Sequence, residues 1–317
     1  MARLPQADDL GHGITCIDTE QQRPGLACCY LIEHGGEAAL IETGTAPGVP
    51  GLLALLDARG LRRDQLKYLI PTHVHLDHAG GAGVLMRELP QARLVAHPRG
   101  ARHLIDPSRL IAGATAVYGA EAVQQMYGEI AAIDESGVIV ADDGHRLSLA
   151  GRELLFVDSP GHARHHFSIW DAASRGFFTG DTFGLSYRVF DGARGPYLMP
   201  TTTPVQFEPE AWEQTLQRYL SFLPERMYLT HYGVVENVPQ LARELRRGLA
   251  DYQQMALAVA REPDRAKRLR TLLMDYSLGT LRAMQAPVSE ALAREWLAFD
   301  IELNAQGLEV WLGKLAA

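Results

Sequence analysis

Thr72-His73-Val74-His75-Leu76-Asp77-His78-Ala79-Gly80 packs four side chains able to ligate a metal into six consecutive positions. Imidazole and carboxylate groups at this density suit a cation better than any other use. In extended backbone alternate side chains share a face, so His73 and His75 can converge on one ion. Asp77 and His78 lie one step further on, where the chain must turn, and can reach a second. The glycines that follow let the ligand loop turn into a helix.

Three more candidate ligands occupy comparable places. His162 follows the apolar run Leu154-Leu155-Phe156-Val157 after a short loop, Asp181 follows Phe177-Phe178-Thr179-Gly180, and His231 follows Met227-Tyr228-Leu229-Thr230. The 73–78 cluster itself follows Tyr68-Leu69-Ile70. Each group thus sits just past the C-terminal end of a short strand, where αβ architectures build their sites. Five imidazoles (His73, His75, His78, His162, His231) and two carboxylates (Asp77, Asp181) suffice for two metal sites with Asp181 shared. Coordination positions left open for water make such a pair catalytic, and a water bridging two cations becomes a hydroxide nucleophile near neutral pH.

The motif His-x-His-x-Asp-His, followed by Gly161-His162, Gly180-Asp181-Thr182 and the late His231, resembles the metallo-β-lactamase superfamily over roughly residues 10–235. It is most similar to the glyoxalase II-like branch, because Asp181 supplies the bridging carboxylate. The resemblance implies an α/β fold, an αββα sandwich with the metals at the sheet edge. It assigns His73, His75 and His162 to one metal, Asp77, His78 and His231 to the other, and Asp181 to the bridge. Nitrogen and oxygen ligands suit two divalent ions, zinc or iron, with manganese also compatible. The third element departs from the branch: where Gly-His-Thr-x-Gly-His is common, this chain reads Gly161-His162-Ala163-Arg164-His165-His166. His162 is the ligand, His166 supports it, and His165 is left between a surface and a substrate-rim position.

Around these motifs, short β-like and helical runs alternate. Strands are expected at 26–33 and 37–42, forming a hairpin at Gly35-Gly36, and at 67–70, 93–96, 153–157, 166–170, 176–179 and 227–230. Helices are expected at 49–59, 83–89, 109–130 (with glycine interruption) and 209–222. After about residue 236 only helical spacing persists (Leu241, Leu245, Leu249, Tyr252; Leu269, Leu273, Tyr276), with Pro263 and Pro287 as boundaries. The expected organisation is a catalytic domain at 1–235 and a helical extension of two or three helices at 236–317. The extension's arginines read as a solvated face. It is unlike the substrate-recognising end of glyoxalase II, and it is a surface through which a homodimer can pair.

The chain of 317 residues is 47% apolar and 21% charged, with a net charge of −8. Its acidity argues against nucleic acid as the partner. The N-terminus lacks the apolar core of a signal peptide, and no run approaches the roughly eighteen apolar residues of a membrane span. Cys16, Cys28 and Cys29 read as small buried hydrophobes, with Cys28 and Cys29 on opposite faces of a strand. Three reduced thiols fit the cytoplasm. No Gly-x-Ser-x-Gly elbow or phosphate-binding Gly-Lys-Ser/Thr occurs.

The expected activity is dinuclear metal-dependent hydrolysis of a small molecule, with Asp77 orienting the hydroxide or moving its proton. A thioester is the preferred substrate by resemblance, ahead of other carboxylic esters, lactones and phosphodiesters. A di-iron protein that binds or reduces oxygen is the alternative, but relatives of that type carry a glutamate where this chain has His75. A regulatory relative without turnover is a third reading. The long stretch 182–204 leaves directly from Asp181, and Tyr187 and Tyr197 are its candidate substrate contacts. His97 is expected to be structural, and His12, His34, His103 and His145 to lie at the surface.

Overall fold

A computed structural model describes residues 3–316. Two sheets face each other. The first runs in sequence order from β1 (Ala7–Asp9), β2 (Ile14–Asp18), β3 (Cys28–His34) and β4 (Glu37–Ile41) to β5 (Leu66–Ile70), β6 (Arg93–Ala96) and β7 (Val138–Val140). Its first four strands are antiparallel and the rest parallel. The second comprises β8 (Arg146–Leu149), β9 (Arg152–Asp158), β10 (Phe167–Asp171), β11 (Gly176–Gly180), β12 (Arg226–Leu229) and β13 (Gly233–Val235), parallel only between β11 and β12. The strands not expected from sequence are β1, β2, β7, β8 and β13; of these β1, β7 and β13 have three residues, too few for a period to declare itself.

Helices α1 (Val49–Ala58), α2 (Leu76–Ala79), α3 (Ala82–Glu88), α4 (Ala101–Ile105), α5 (Ser108–Tyr118) and α6 (Ala120–Tyr127) belong to the first half. The run expected at 109–130 is two helices because Gly119, at φ +82°, breaks it. In the second half come α7 (Pro209–Ser221), α8 (Val238–Val259), α9 (Arg265–Ala283) and α10 (Glu290–Leu315). Pro263 and Pro287 fall between the last three, as expected from a residue that cannot donate within a helix.

Strand alternation builds the layers. On β3, Cys28, Tyr30 and Ile32 enter the core between the sheets, while Cys29 and Leu31 face the core under α1 and α3. On β9, Leu154 and Phe156 point to the inter-sheet core, while Leu155 and Val157 point to the helices. The outer face of the second sheet shares one continuous core with α7, α8, α9 and α10. Leu245, Leu269, Leu273, Leu297 and Leu308 are fully buried there, each stabilising the assembly by roughly 1.5–3 kcal/mol. The tail's arginines lie at the surface of this layer, where Arg246, Arg265 and Arg270 pair with Glu213, Glu309 and Glu302. The C-terminal ends of β4, β5, β9, β11 and β12 meet at one rim. Among the described residues no helix is long and apolar enough to cross a membrane.

Candidate metal centre

All seven expected ligands reach that rim. His73 Nε2 lies 2.8 Å from His75 Nδ1, which lies 3.1 Å from His162 Nε2. Asp77 Oδ2 lies 3.2 Å from His231 Nε2 and 3.6 Å from His78 Nε2. Asp181 stands between the two groups: Oδ2 is 3.5 Å from His162 Nε2, and Oδ1 is 3.2 Å from His78 Nε2 and 3.7 Å from His231 Nε2. Gly180, at φ +49°, aims this carboxylate; a Cβ there would come within 2.3 Å of the Thr72 hydroxyl and 2.5 Å of His166 Nε2.

Four of the five imidazoles have a tethered outward nitrogen, which orients those rings toward the centre. His162 Nδ1 and His231 Nδ1 each donate at 2.8 Å, to Thr201 O and Leu26 O. His78 Nδ1 meets Glu42 Oε1 at 2.9 Å, and His73 Nδ1 meets the Thr72 hydroxyl at 3.1 Å. His166 supports Asp181: its Nε2 accepts from Asp181 N at 3.3 Å, and its Nδ1 joins Ser159, Ser168 and Tyr219 in a buried chain.

Electrostatics divide the cluster. Burial, reinforced by neighbouring imidazoles, lowers His73 well below the usual histidine range and His75 to about 3. Burial likewise lowers His162. Neutral imidazole is the ligating form. Burial also works against charge on His78 and His231, but Asp181 and Asp77 outweigh it, raising His78 well above the usual range and His231 to about 9. Asp77 and Asp181 are pushed up by burial and, more strongly, down by those two imidazoles, so both stay ionised. His78 Nε2 and Asp181 Oδ1 are buried, yet neither has a hydrogen-bond partner of adequate geometry among the described residues. Tethered imidazoles, ionised carboxylates and inward atoms without partners are a donor set that fits divalent cations. Ligand atoms within 4.8 Å of one another occur in the sets His73–His75–His162, His73–His78–Asp181 and Asp77–His78–His231.

The site opens into a cavity of about 430 Å³. Leu110, Ala114, Val117 and Tyr118 of α5, with Phe299 and Leu303 of α10, give it an apolar side. Tyr187 lines it and donates to Asp300 Oδ2 at 3.0 Å, and burial pushes the Asp300 carboxyl up to about 6. Tyr197, the other tyrosine expected to meet substrate, is instead in the helical core against Phe190, because the 182–204 stretch turns its apolar residues inward. His165 is buried, with its ring 5.6 Å from that of His75, and lines the cavity. His103, expected at the surface, is half-buried in the cavity wall, and His145 is half-buried against Phe156. His12 and His34 are exposed, while His97 is buried and bonded to Asp158 at 2.8 Å.

Sequence reading missed Glu42, Asp300 and Asn304. Glu42 carried a usable signal: it too follows an apolar strand, Ala38-Ala39-Leu40-Ile41. Asp300 and Asn304 carried none, being ordinary polar positions on a long helix.

The chain belongs to the metallo-beta-lactamase superfamily, whose family model matches residues 23–231. A hydroxyacylglutathione hydrolase of Stenotrophomonas maltophilia is 29% identical over 89% of this chain and 91% of its own. An atrochrysone carboxyl ACP thioesterase of Aspergillus fumigatus is 26% identical over 73% of this chain. The matched stretch spans only 58–62% of that thioesterase and of three further curated relatives. The crystal structure of an archaeal metallo-beta-lactamase superfamily protein from Sulfolobus tokodaii shares the fold, with a TM-score of 0.67 and 23% identity over 94% of this chain and 98% of that one.

Proposed function

We propose that this protein is a dinuclear metal-dependent hydrolase acting on a thioester. The observation that carries the reading is the meeting of five imidazoles and two carboxylates at the floor of a cavity with an apolar side. His73, His75 and His162 would hold one ion, Asp77, His78 and His231 the other, and Asp181 both. Divalent ions in such a site supply Lewis acidity and make hydroxide available near neutral pH.

The chain's own residues do the rest. Asp77 lines the cavity beside His231 and is held ionised, so it can accept a hydrogen bond from the attacking hydroxide and orient it. The hydroxide oxygen bonds to the acyl carbon, the C–S bond breaks with its electron pair on sulfur, and the thiolate leaves to be protonated by solvent. The apolar walls exclude water from the acyl group. The preference for a thioester is supported by the relatives named as a hydroxyacylglutathione hydrolase and an ACP thioesterase.

Metal analysis of protein purified without added metal, followed by thioester, lactone and bis-nitrophenyl phosphate assays, tests the reading. Two metals per chain and thioester turnover abolished by chelation are expected. Activity on none of these substrates, with oxygen uptake on reduction, would overturn it.

A further inference from the structure

A second, cationic bay adjoins the metal cavity. It is lined by Arg99, Arg102 and Arg164 together with Pro98, His103, His165, Gln206 and Glu208. His103, His165 and Gln206 line both spaces, so the two are continuous. Arg164 is neutralised by Glu208, and its backbone N–H donates to Gln206 Oε1. Arg99 and Arg102 are different. Neither has a carboxylate within 4.0 Å among the described residues; Arg99 Nη1 donates to Arg164 O at 3.2 Å and Arg102 Nε to His103 Nε2 at 3.3 Å. Two guanidinium forks are thus gathered at the mouth of the site without an acid of their own. Between them and the metals stands His165, only 8% exposed, whose Nδ1 is buried without a hydrogen-bond partner.

The other side of the cavity has the opposite character. Helix α5 buries none of its residues, and Val117 on its cavity side is 57% exposed. Phe299 of α10 is 42% exposed, and its ring packs against that of Tyr118 with centroids 6.0 Å apart, joining the two helices into one apolar side. Apolar surface left open beside a reactive centre is surface that a ligand can cover.

Building on the thioester reading, we infer that the substrate has two unlike arms: an apolar acyl chain lodged against the apolar side that α5 and α10 form, and a thiol carrier bearing phosphate, held by Arg99 and Arg102. Guanidinium forks match phosphate oxygens bidentately, which a point charge does not. The scissile carbonyl would lie beside Asp77, Asp181 and His231 in the first space, with the carrier passing His165, His103 and Gln206, where the two spaces join. His165 Nδ1 offers a polar contact to the part of the carrier that passes it.

Octanoyl thioesters of coenzyme A, pantetheine and glutathione, and acetyl-coenzyme A, test this with the metal-replete full chain. Octanoyl-coenzyme A is expected to exceed octanoyl-pantetheine by at least about tenfold in kcat/KM at low salt, chiefly through KM, and to exceed acetyl-coenzyme A. In the double variant Arg99→Ala, Arg102→Ala the ratio between the coenzyme A and pantetheine substrates should collapse towards one. With Arg99→Glu, Arg102→Glu it should invert. Calorimetry with the non-hydrolysable octanoyl thioethers of coenzyme A and pantetheine should give the same ratio in Kd, without turnover. Hydrolysis without preference for the phosphorylated carrier, a preference surviving both double variants, or a glutathione thioester as the better substrate overturns the inference alone. Hydrolysis of no thioester overturns the proposed function instead, and the calorimetric ratio then still reports on the arginine bay.

Discussion

Glu42 Oε1 stands 2.9 Å from His78 Nδ1, and the same buried carboxylate accepts the Thr72 N–H at 3.0 Å and the Thr230 hydroxyl at 2.9 Å. One side chain at the end of β4 therefore pins the loops leaving β5 and β12. It does so from left-handed backbone, φ +64°, which costs a non-glycine residue about 1–2 kcal/mol. The contacts offset that cost.

Glu42→Gln keeps the size of this side chain but removes its charge. Affinity for the metals should fall about 10- to 100-fold, the usual effect of losing a carboxylate behind a ligating histidine. Competition against a fluorescent chelator measures it. Affinity equal to wild type would show that Glu42 only braces the loops.

Asp181→Asn should leave the fold intact while lowering metal content below two per chain and turnover by about 100-fold or more, beyond what outer partners cost. Elemental analysis and steady-state kinetics report the two quantities separately. Wild-type values of both would remove Asp181 from the centre.

The buried pair Arg152–Asp171 makes stability depend on acid. Burial pushes the Asp171 carboxyl up, but Arg152 (Nε at 2.9 Å) and the Ser174 N–H (3.1 Å) more than offset this and hold it below the usual carboxylate range. The folded state therefore binds the proton less readily than the unfolded chain. The stabilisation is complete above the ordinary aspartate range and is lost as pH falls through the lowered folded value. Urea melts from pH 7 downward should show that loss, and Arg152→Met should cost about 3–5 kcal/mol at pH 7 by stranding a buried charge.

Gly307→Ala tests how the tail supports the metals. A Cβ at Gly307 would come within 1.3 Å of Thr202 O, on the segment that Asn304 grips through Thr202 N (2.5 Å) and Pro200 O (3.0 Å). The neighbouring Thr201 O orients His162. Overpacking here should cost about 1–3 kcal/mol and weaken metal binding. Thermal melting and chelator competition in parallel check both. A melting point and affinity like those of wild type would mean that α10 docks loosely.

What the amino-acid order settled was chemistry that is local. Four candidate ligands within 73–78, and three more each following a short apolar run, declared themselves because ligand identity and strand-end position are both written in neighbouring residues. The sandwich followed from a resemblance carried by those same motifs. Three-residue strands such as β7 and β13 escaped because a period of two needs more repeats to stand out.

Contacts between distant residues were decided only in three dimensions. Glu42 joins positions 78 and 230, Asn304 reaches back to 200 and 202, and Tyr187 meets Asp300. No spacing along the chain encodes such pairs. Likewise Tyr187 and Tyr197 are equivalent in the sequence and both are buried in the helical core, yet packing lets only Tyr187 border the cavity as well. A residue's own chemistry states what it can bind, whereas its exposure depends on which other parts of the chain come to lie against it.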